Sequence, residues 1–342
     1  MRALQNLLFS ALAILSFGVA SFGQDPSASI DGPILGFVEG STRTAIRPIQ
    51  GVLGASAVAQ PLPLDSEIRN AIISPKHDYA LATRNETGEL LLMRLGSVSV
   101  TMNSVDGARY SATAIAISPA GTAAAIYGQD RILQLFTGLP DAPQIVAEFD
   151  ASDIAGHLQF VAVADDGALA LLNFLTPDDA TLWVLSANGS RWALPAQRAS
   201  AASFLANRHD VVIADDAAQE VFLLSNIDQE ASRLSVASFG DGFNAFAGVA
   251  ASSDGLRVFI SSKKSRNVTI ADLETGVSTV LSCDCLPTGF RPLKGTSVFR
   301  LSDPADGPVA VLDASSAAEP RIIVLPVASA VITPTPEEVQ QQ

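Results

Sequence analysis

An all-β fold, a single β-propeller, is predicted by three features of this 342-residue chain. A unit of strand, tight turn, strand, loop and strand recurs six times, with its turns spaced by 40 to 46 residues. The first strand of each copy is rich in small apolar residues, and no stretch of about 12 residues after the N-terminal segment has a persuasive helical period. A repeat of this length is typical of propeller blades, since a single four-stranded blade needs neighbours to cover both faces.

The turns carry the most regular residues of the repeat. The copy at 247–273 has Ser-Asp-Gly at 253–255, and the copy at 112–136 has Ser-Pro-Ala-Gly at 118–121. Proline and glycine preset the backbone for such reversals. Two copies carry histidine at the turn position where glycine stands elsewhere, and we interpret both as surface turn residues. The anchor positions are His77, Gly121, Gly167, His209, Gly255 and Gly295.

Seven four-stranded blades are predicted by the length of the repeat-bearing region, residues 30–326. This region holds seven units of about 42 residues, although six copies are visible. Residues 30–66 are long enough for most of a seventh blade, and they should close the ring together with the C-terminal strand Arg321–Leu325. A six-bladed ring with an N-terminal hairpin as a cap is the alternative. The strands expected in the first segment are Ile34–Glu39, Thr44–Ile49 and Ala55–Gln60.

Residues 1–23 have the layout of a secretory signal peptide. Arg2 precedes an apolar run from Leu7 to Val19, small residues follow, and cleavage is expected before Gln24. The run is shorter than the roughly 20 residues of a spanning helix; an uncleaved N-terminal anchor is the alternative. We therefore expect a secreted or periplasmic protein with no stable membrane insertion after processing. The other predicted boundaries are a short linker at 24–29, the propeller domain at 30–326 and a disordered tail at 327–342.

One copy of the repeat resembles a known group. Residues 252–260 read SSDGLRVFI and residues 267–272 read NVTIAD, which is similar to the YVTN-type β-propeller repeat of secreted bacterial proteins. The resemblance covers four copies well and two poorly, the departures lying at His209 and around Lys294. It implies the propeller fold and transfers no site residues, because the motif positions are turn and core residues.

The overall composition excludes some classes of protein. Hydrophobic residues make up 48% of the chain and charged residues 16%, with a mean hydropathy of +0.31, which is too apolar for a largely disordered chain. The 21 basic and 35 acidic residues give a net charge of −14. Nucleic-acid binding requires a basic stripe, so we expect no nucleic-acid partner. We expect a monomer whose partner is a protein or an extracellular polymer.

The charge is unevenly distributed along the chain. Residues 141–230 hold 14 acidic and 3 basic residues, whereas residues 257–300 hold 7 basic and 3 acidic residues. One interpretation is a solvated acidic surface that keeps an apolar domain soluble. The other is an acidic binding sector that steers a basic protein or binds cations. Its candidate residues are Asp165, Asp166, Asp178, Asp179, Asp215 and Asp216.

No catalytic spacing stands out in the sequence. There is no Gly-x-Ser-x-Gly elbow and no zinc-ligand spacing, so we predict no catalytic, metal or cofactor-binding residues and no cofactor. A noncatalytic binding or scaffold module is therefore the favoured function. A hydrolase or lactonase-like enzyme with carboxylates around the central channel, and a surface structural component, are the alternatives.

The two cysteines, Cys283 and Cys285, are separated by one residue. Two cysteines do not make a disulfide framework, so the fold must depend on its apolar core. In an oxidising compartment the pair is a candidate disulfide that closes a small loop. Free thiols, or a redox or metal role, are the alternatives.

Overall fold

The computed structural model describes residues 32–40, 42–239, 245–303 and 308–327. These residues form strands, turns and loops, with no helix among them, and so they contain no helix that is long and apolar enough to cross a membrane. The predicted signal peptide, the linker at 24–29 and residues 328–342 of the predicted tail lie outside the described residues. The all-β prediction is confirmed.

The strands form seven antiparallel sheets, which are the blades of a seven-bladed β-propeller. Six blades have four strands, and the first has three among the described residues. In blade 1 the strands are β1 (Ile34–Glu39), β2 (Ile46–Val52) and β3 (Ala55–Val58); in blade 2, β4 (Ile68–Ile73), β5 (Tyr79–Arg84), β6 (Leu90–Leu95) and β7 (Val100–Ser104); in blade 3, β8 (Ala112–Ile117), β9 (Ala123–Gly128), β10 (Ile132–Thr137) and β11 (Gln144–Asp150); in blade 4, β12 (His157–Val163), β13 (Leu169–Leu175), β14 (Ala180–Ser186) and β15 (Arg191–Ala193); in blade 5, β16 (Ala199–Phe204), β17 (Val211–Asp215), β18 (Glu220–Ser225) and β19 (Ser232–Ser238); in blade 6, β20 (Phe246–Ala251), β21 (Arg257–Ser262), β22 (Asn267–Asp272) and β23 (Ser278–Ser282); and in blade 7, β24 (Arg291–Pro292), β25 (Val298–Arg300), β26 (Val309–Asp313) and β27 (Arg321–Leu325).

The turn between the first and second strands explains the recurring sequence motif. Gly121, Gly167 and Gly255 have φ between 68° and 72°, a left-handed conformation that glycine adopts without steric cost. The serine that opens two of these turns is buried and accepts hydrogen bonds from the backbone, as Ser118 Oγ does from Ala123 N (3.1 Å). We call the face of the ring that carries these turns in blades 2 to 7 the turn face, and the opposite one the far face.

Side-chain packing between neighbouring blades closes the ring. The described residues form seven buried apolar clusters, and each joins two adjacent blades. The cluster between blades 7 and 1 includes Val38, Val58, Val311 and Leu325. Seven blades in seven interfaces confirm the seven-bladed ring, and the six-bladed alternative is wrong.

Strand β27 is the outermost strand of blade 7, and the two residues that follow it in the chain, Pro326 and Val327, contact blade 1. Val327 forms a parallel bridge with Val58 of β3, and Val58 N donates to Pro326 O (3.0 Å). The N-terminal and C-terminal strands therefore meet at the closure, as expected, but they do not share an antiparallel sheet. Val327, the first residue of the predicted tail, takes part in this contact.

Strand β1 corresponds to the second strand of the other blades. Five of its six residues are buried, the pattern of the second strands, whereas the first strands are only partly buried. It also begins at the turn face, because Leu35 O accepts a hydrogen bond from Lys294 N (3.0 Å) in the first turn of blade 7. The first strands of other blades end at that face. In blade 1, therefore, β1 itself borders the centre of the ring.

Candidate functional site

The central channel of the ring has a volume of about 780 Å³. It is bounded by β1 and by the first strands of blades 2 to 7. On the side of blades 3 to 6 the wall is dominated by small apolar residues, since the blades converge there and leave little room for side chains. They include Ala114, Ala116, Ala162, Ala202, Gly248 and Ala250.

The opposite side of the channel, at blades 7, 1 and 2, carries positive charge. Lys76 lies at the turn face, and three arginines, which we call the arginine cluster, lie toward the far face. They are Arg43, Arg291 and Arg300. Glu39 is the one carboxylate among the described residues of the channel wall. In a chain with a net charge of −14, this interior is locally cationic.

Glu39 and Arg300 form a buried ion pair that joins blade 1 to blade 7. Arg300 Nη2 lies 2.7 Å from Glu39 Oε2, and both side chains are almost fully buried. Burial opposes ionisation of Glu39, but the charges of Arg300 and Arg291 outweigh it and hold the pKa of this carboxyl below its usual range. Glu39 is therefore an ion-pair partner and not a proton donor. The carboxylate cluster that the hydrolase hypothesis needs is not present among the described channel residues.

Arg291 and Arg43 have no ion-pair partner among the described residues. Arg291 is exposed in the channel, and partial loss of hydration there lowers the pKa of its guanidinium. It faces Arg300 across β24 and β25. The second guanidinium nitrogen of Arg300, Nη1, is buried and has no hydrogen-bond partner within the described part of the chain.

His77 closes the turn-face end of this region. It is only 3% exposed, so its interpretation as a surface residue is wrong, although it does occupy the turn position, with φ of 58°. Its Nδ1 accepts a hydrogen bond from Phe37 N (2.9 Å), and its Nε2 lies 2.8 Å from Pro292 O. The ring is buried because β1, which has no inner neighbour among the described residues, packs directly against it. Gly36 leaves the room that the ring occupies.

These two contacts define the protonation state of His77. An acceptor at Nδ1 and a carbonyl opposite Nε2 require the neutral ring with its proton on Nε2. Burial lowers the pKa of His77 to about 4. The imidazole thus links blades 1, 2 and 7 and caps a backbone N–H that would otherwise be unpaired at the inner edge of β1.

An open polar pocket of about 530 Å³ lies on the turn face between blades 4 and 5. At its centre, His209 Nε2 lies 2.9 Å from Asp166 Oδ2 and His209 Nδ1 lies 2.8 Å from Asp228 Oδ2. Burial disfavours the charged ring, but the hydrogen bonds and charges of Asp228 and Asp166 together raise the pKa of His209. His209 is thus an imidazolium held between two carboxylates. Its interpretation as a plain turn residue missed this arrangement.

His209 is also displaced by one position in its turn. Arg208 N donates to Leu205 O, the bond that His77 N makes to Ser74 O, so Arg208 is the true counterpart of His77. Asn207 takes the positive φ, 56°. His209, the residue after Arg208, therefore lies at the surface, where its ring contacts Asp166 of blade 4 and Asp228 of blade 5.

Asp165 and Asp166 are adjacent in sequence but differ in their contacts and in their exposure. Asp165 accepts hydrogen bonds from Ala120 N and Asn207 N, both 2.6 Å, and so ties the turns of blades 3 and 5 to that of blade 4. Asp166 faces the pocket with 55% of its side chain exposed. Only Asp166 of this pair is available to a partner.

The other candidate acidic residues lie at the far face. Asp178 and Asp179 are exposed in the turn between β13 and β14. Asp215 is 2% exposed and accepts hydrogen bonds from four backbone N–H groups, those of residues 197, 198, 217 and 218. Asp216 accepts from Phe246 N (3.0 Å) of blade 6. The six aspartates therefore do not form one surface.

The described residues contain no group of three or more His, Cys, Asp or Glu side chains arranged to hold a metal ion. Both ring nitrogens of His209 are engaged by carboxylates and are not free as ligands. Cys283 and Cys285 are joined by a disulfide in the loop after β23, with Cys283 packed in the core between blades 6 and 7. The disulfide therefore fastens this loop to that core.

The fold and these two sites define a seven-bladed β-propeller with a cation-lined channel and an acidic surface pocket. No protein-family model matches the chain, and no curated protein matches it either. Among solved structures, it is similar to that of a functionally unknown protein from Desulfotomaculum acetoxidans DSM 771, with a TM-score of 0.56 and 13% sequence identity, over 86% of this chain and 100% of the other. A likeness at this identity shows the fold alone, and propellers host unrelated activities.

Proposed function

We propose that this protein is an exported, noncatalytic binding or scaffold propeller that engages a protein or extracellular polymer through the turn face at blades 4 and 5. The observation that carries the proposal is the pocket around His209, where carboxylates from two blades converge on one imidazole. The N-terminal apolar segment and the resemblance to YVTN-type repeats support export from a bacterial cell.

The pocket suits a basic group on the partner. Its charged lining residues comprise four aspartates against Arg208 and His209, so a net negative charge remains even with His209 protonated. Asp166 and Asp228 each give one oxygen to His209, and every carboxylate oxygen has two acceptor sites. Because His209 holds both carboxylates in place, little side-chain entropy is lost when a lysine or arginine of the partner binds.

The two faces of the ring provide a matched test. The double variant Asp166→Asn/Asp228→Asn removes two charges from the pocket, and Asp178→Asn/Asp179→Asn removes two charges from the far face. Association of each with a synthetic peptide of alternating lysine and serine is followed by surface plasmon resonance at about 0.02 M and about 0.5 M salt. Thermal unfolding first establishes that both variants are folded.

The pocket variant should associate several-fold more slowly than the wild type at low salt, and the difference should shrink at high salt, where the field is screened. The far-face variant should behave like the wild type. Equal rates for the two variants would mean that the pocket is a solvated surface with no steering role.

Export has its own test. N-terminal sequencing of protein recovered from the periplasm or the medium should begin at Gln24. A membrane-bound product that retains Met1 would overturn this part of the proposal.

A further inference from the structure

We propose that the central channel binds an organic anion with an apolar body, the anionic group lying against the arginine cluster and the body along the alanine- and glycine-rich wall of blades 3 to 6. This site is separate from the pocket around His209. The ligand class is a carboxylate, sulfonate or phosphate ester that carries a hydrocarbon portion.

The first argument is unbalanced charge. Arg43, Arg291, Arg300 and Lys76 face Glu39 as the only carboxylate of the described channel wall, and Glu39 is committed to Arg300. Outside the wall, Asp303 lies 3.8 Å from Arg300, so the positive charges still outnumber the negative ones. Like charges held close together repel each other. An anion entering the channel relieves that repulsion.

The second argument is an unsatisfied donor. Arg300 is almost fully buried, and its Nη1 has no hydrogen-bond partner among the described residues. A buried donor without a partner is destabilising, and most such groups in proteins are paired. Arg300 borders the channel, and a small rotation of its guanidinium would turn this donor toward an anion bound between Arg300 and Arg291. Guanidinium groups pair with carboxylate and phosphate oxygens in a two-point geometry.

The third argument is the nature of the opposite wall. A simple inorganic anion would leave the wall of Ala114, Ala162 and Ala202 facing water, whereas a hydrocarbon portion covers it. Burial of this apolar surface by a ligand favours binding. Ligand sites are commonly clefts of ~300–1,000 Å³, and the channel has that size.

Three ligands separate the contribution of the anionic group to binding from that of the hydrocarbon chain. Isothermal titration of the full chain measures binding of octanoate, of inorganic phosphate and of 1-octanol. Octanoate carries both charge and chain, phosphate carries charge alone, and octanol carries the chain alone. Octanoate should bind at least tenfold more tightly than either of the others. Octanol binding as tight as octanoate, or phosphate binding as tight as octanoate, would overturn the proposal, as would no detectable octanoate binding at millimolar concentration.

Matched variants locate the site. Arg291→Gln should weaken octanoate binding at least tenfold, because Arg291 is open to the channel and has no ion pair to lose. Lys263→Gln, which removes one positive charge from a turn of blade 6 outside the channel, should leave it unchanged. Equal effects of the two substitutions would overturn the assignment.

Should Arg291→Gln fail to fold, Arg43→Gln in the turn between β1 and β2 is the second variant, with the same expected direction. Asp166→Asn/Asp228→Asn should not change octanoate binding. The channel proposal and the proposed function can therefore fail independently.

Discussion

Two of the three histidines of this chain, His77 and His209, occupy nearly the same place in two first turns, and their surroundings give them opposite properties. His77 is buried between three blades, makes contacts that require the neutral ring, and has a pKa of about 4. His209, one position further along its turn, lies between two carboxylates at the surface and has a raised pKa. The difference shows that the repeat determines the path of the backbone, whereas contacts with the neighbouring blades determine the burial and the protonation state of a turn side chain.

Replacing each histidine with alanine should separate the two roles most strongly. His77→Ala leaves Phe37 N and Pro292 O without partners and opens a cavity, so the free energy of unfolding should fall by about 3 kcal/mol. His209→Ala, at the surface, should cost about 1 kcal/mol or less. Chemical denaturation of both variants at pH 7 measures the two values, and equal losses would contradict the assigned burial of His77.

Acid should destabilise the protein through His77. The unfolded chain takes up this proton near pH 6.5 and the folded chain only near pH 4, so protonation favours unfolding. The contribution is fully present above about pH 6.5 and is lost as the pH falls toward 4, by about 3 kcal/mol in all. Denaturation midpoints of wild type and His77→Gln across this range provide the check; parallel curves would show that His77 does not titrate as described.

Gly36 should be intolerant of a side chain because of His77. A Cβ at residue 36 would lie 3.0–3.2 Å from three atoms of the His77 ring. Because these contacts are too close, Gly36→Ala should lower the free energy of unfolding by about 1–3 kcal/mol. Gly32→Ala, whose Cβ meets nothing within 4 Å, is the control. The cost of Gly36→Ala should shrink in a His77→Ala background, and simple additivity of the two changes would argue against the contact.

His209 should give the smallest effect and the opposite dependence on pH. Its folded pKa is raised, so its stabilising contribution is present below about pH 6.5 and is lost as the pH rises through the folded value. The stability difference between wild type and His209→Gln, up to about 1 kcal/mol at pH 6, should approach zero in alkaline solution. A difference that grows with pH would mean that the ring is neutral in the folded protein.

The fold was predictable because its determinants are local. Gly121, Gly167 and Gly255 mark a left-handed turn residue, and the period of that turn counts the blades. The spacing also located the first blade, where β1 was predicted with its observed bounds. His77 was misinterpreted for a physical reason: its turn is ordinary, and its burial comes from β1, which borders the centre of the ring directly.

The candidate site was less accessible from the sequence. Glu39 and Arg300 come from opposite ends of the chain and meet because the ring closes. The excess of basic residues in 257–300, which includes Arg291 and Arg300, was a signal of the channel charge, but nothing local indicated that these two point inward. Conversely, the Asp215 carboxylate looked like part of an acidic surface, although it is occupied by four backbone N–H groups of its own blade.

The closure between blades 7 and 1 has a mechanical consequence. Six of the seven interfaces are crossed by the polypeptide itself as it passes from one blade to the next. The seventh interface is noncovalent. It is held by the apolar cluster, the Val58–Val327 bridge, the Glu39–Arg300 pair and the hydrogen bonds of His77. Force applied between residues 32 and 327 would act first on this noncovalent interface, and its rupture would open the ring.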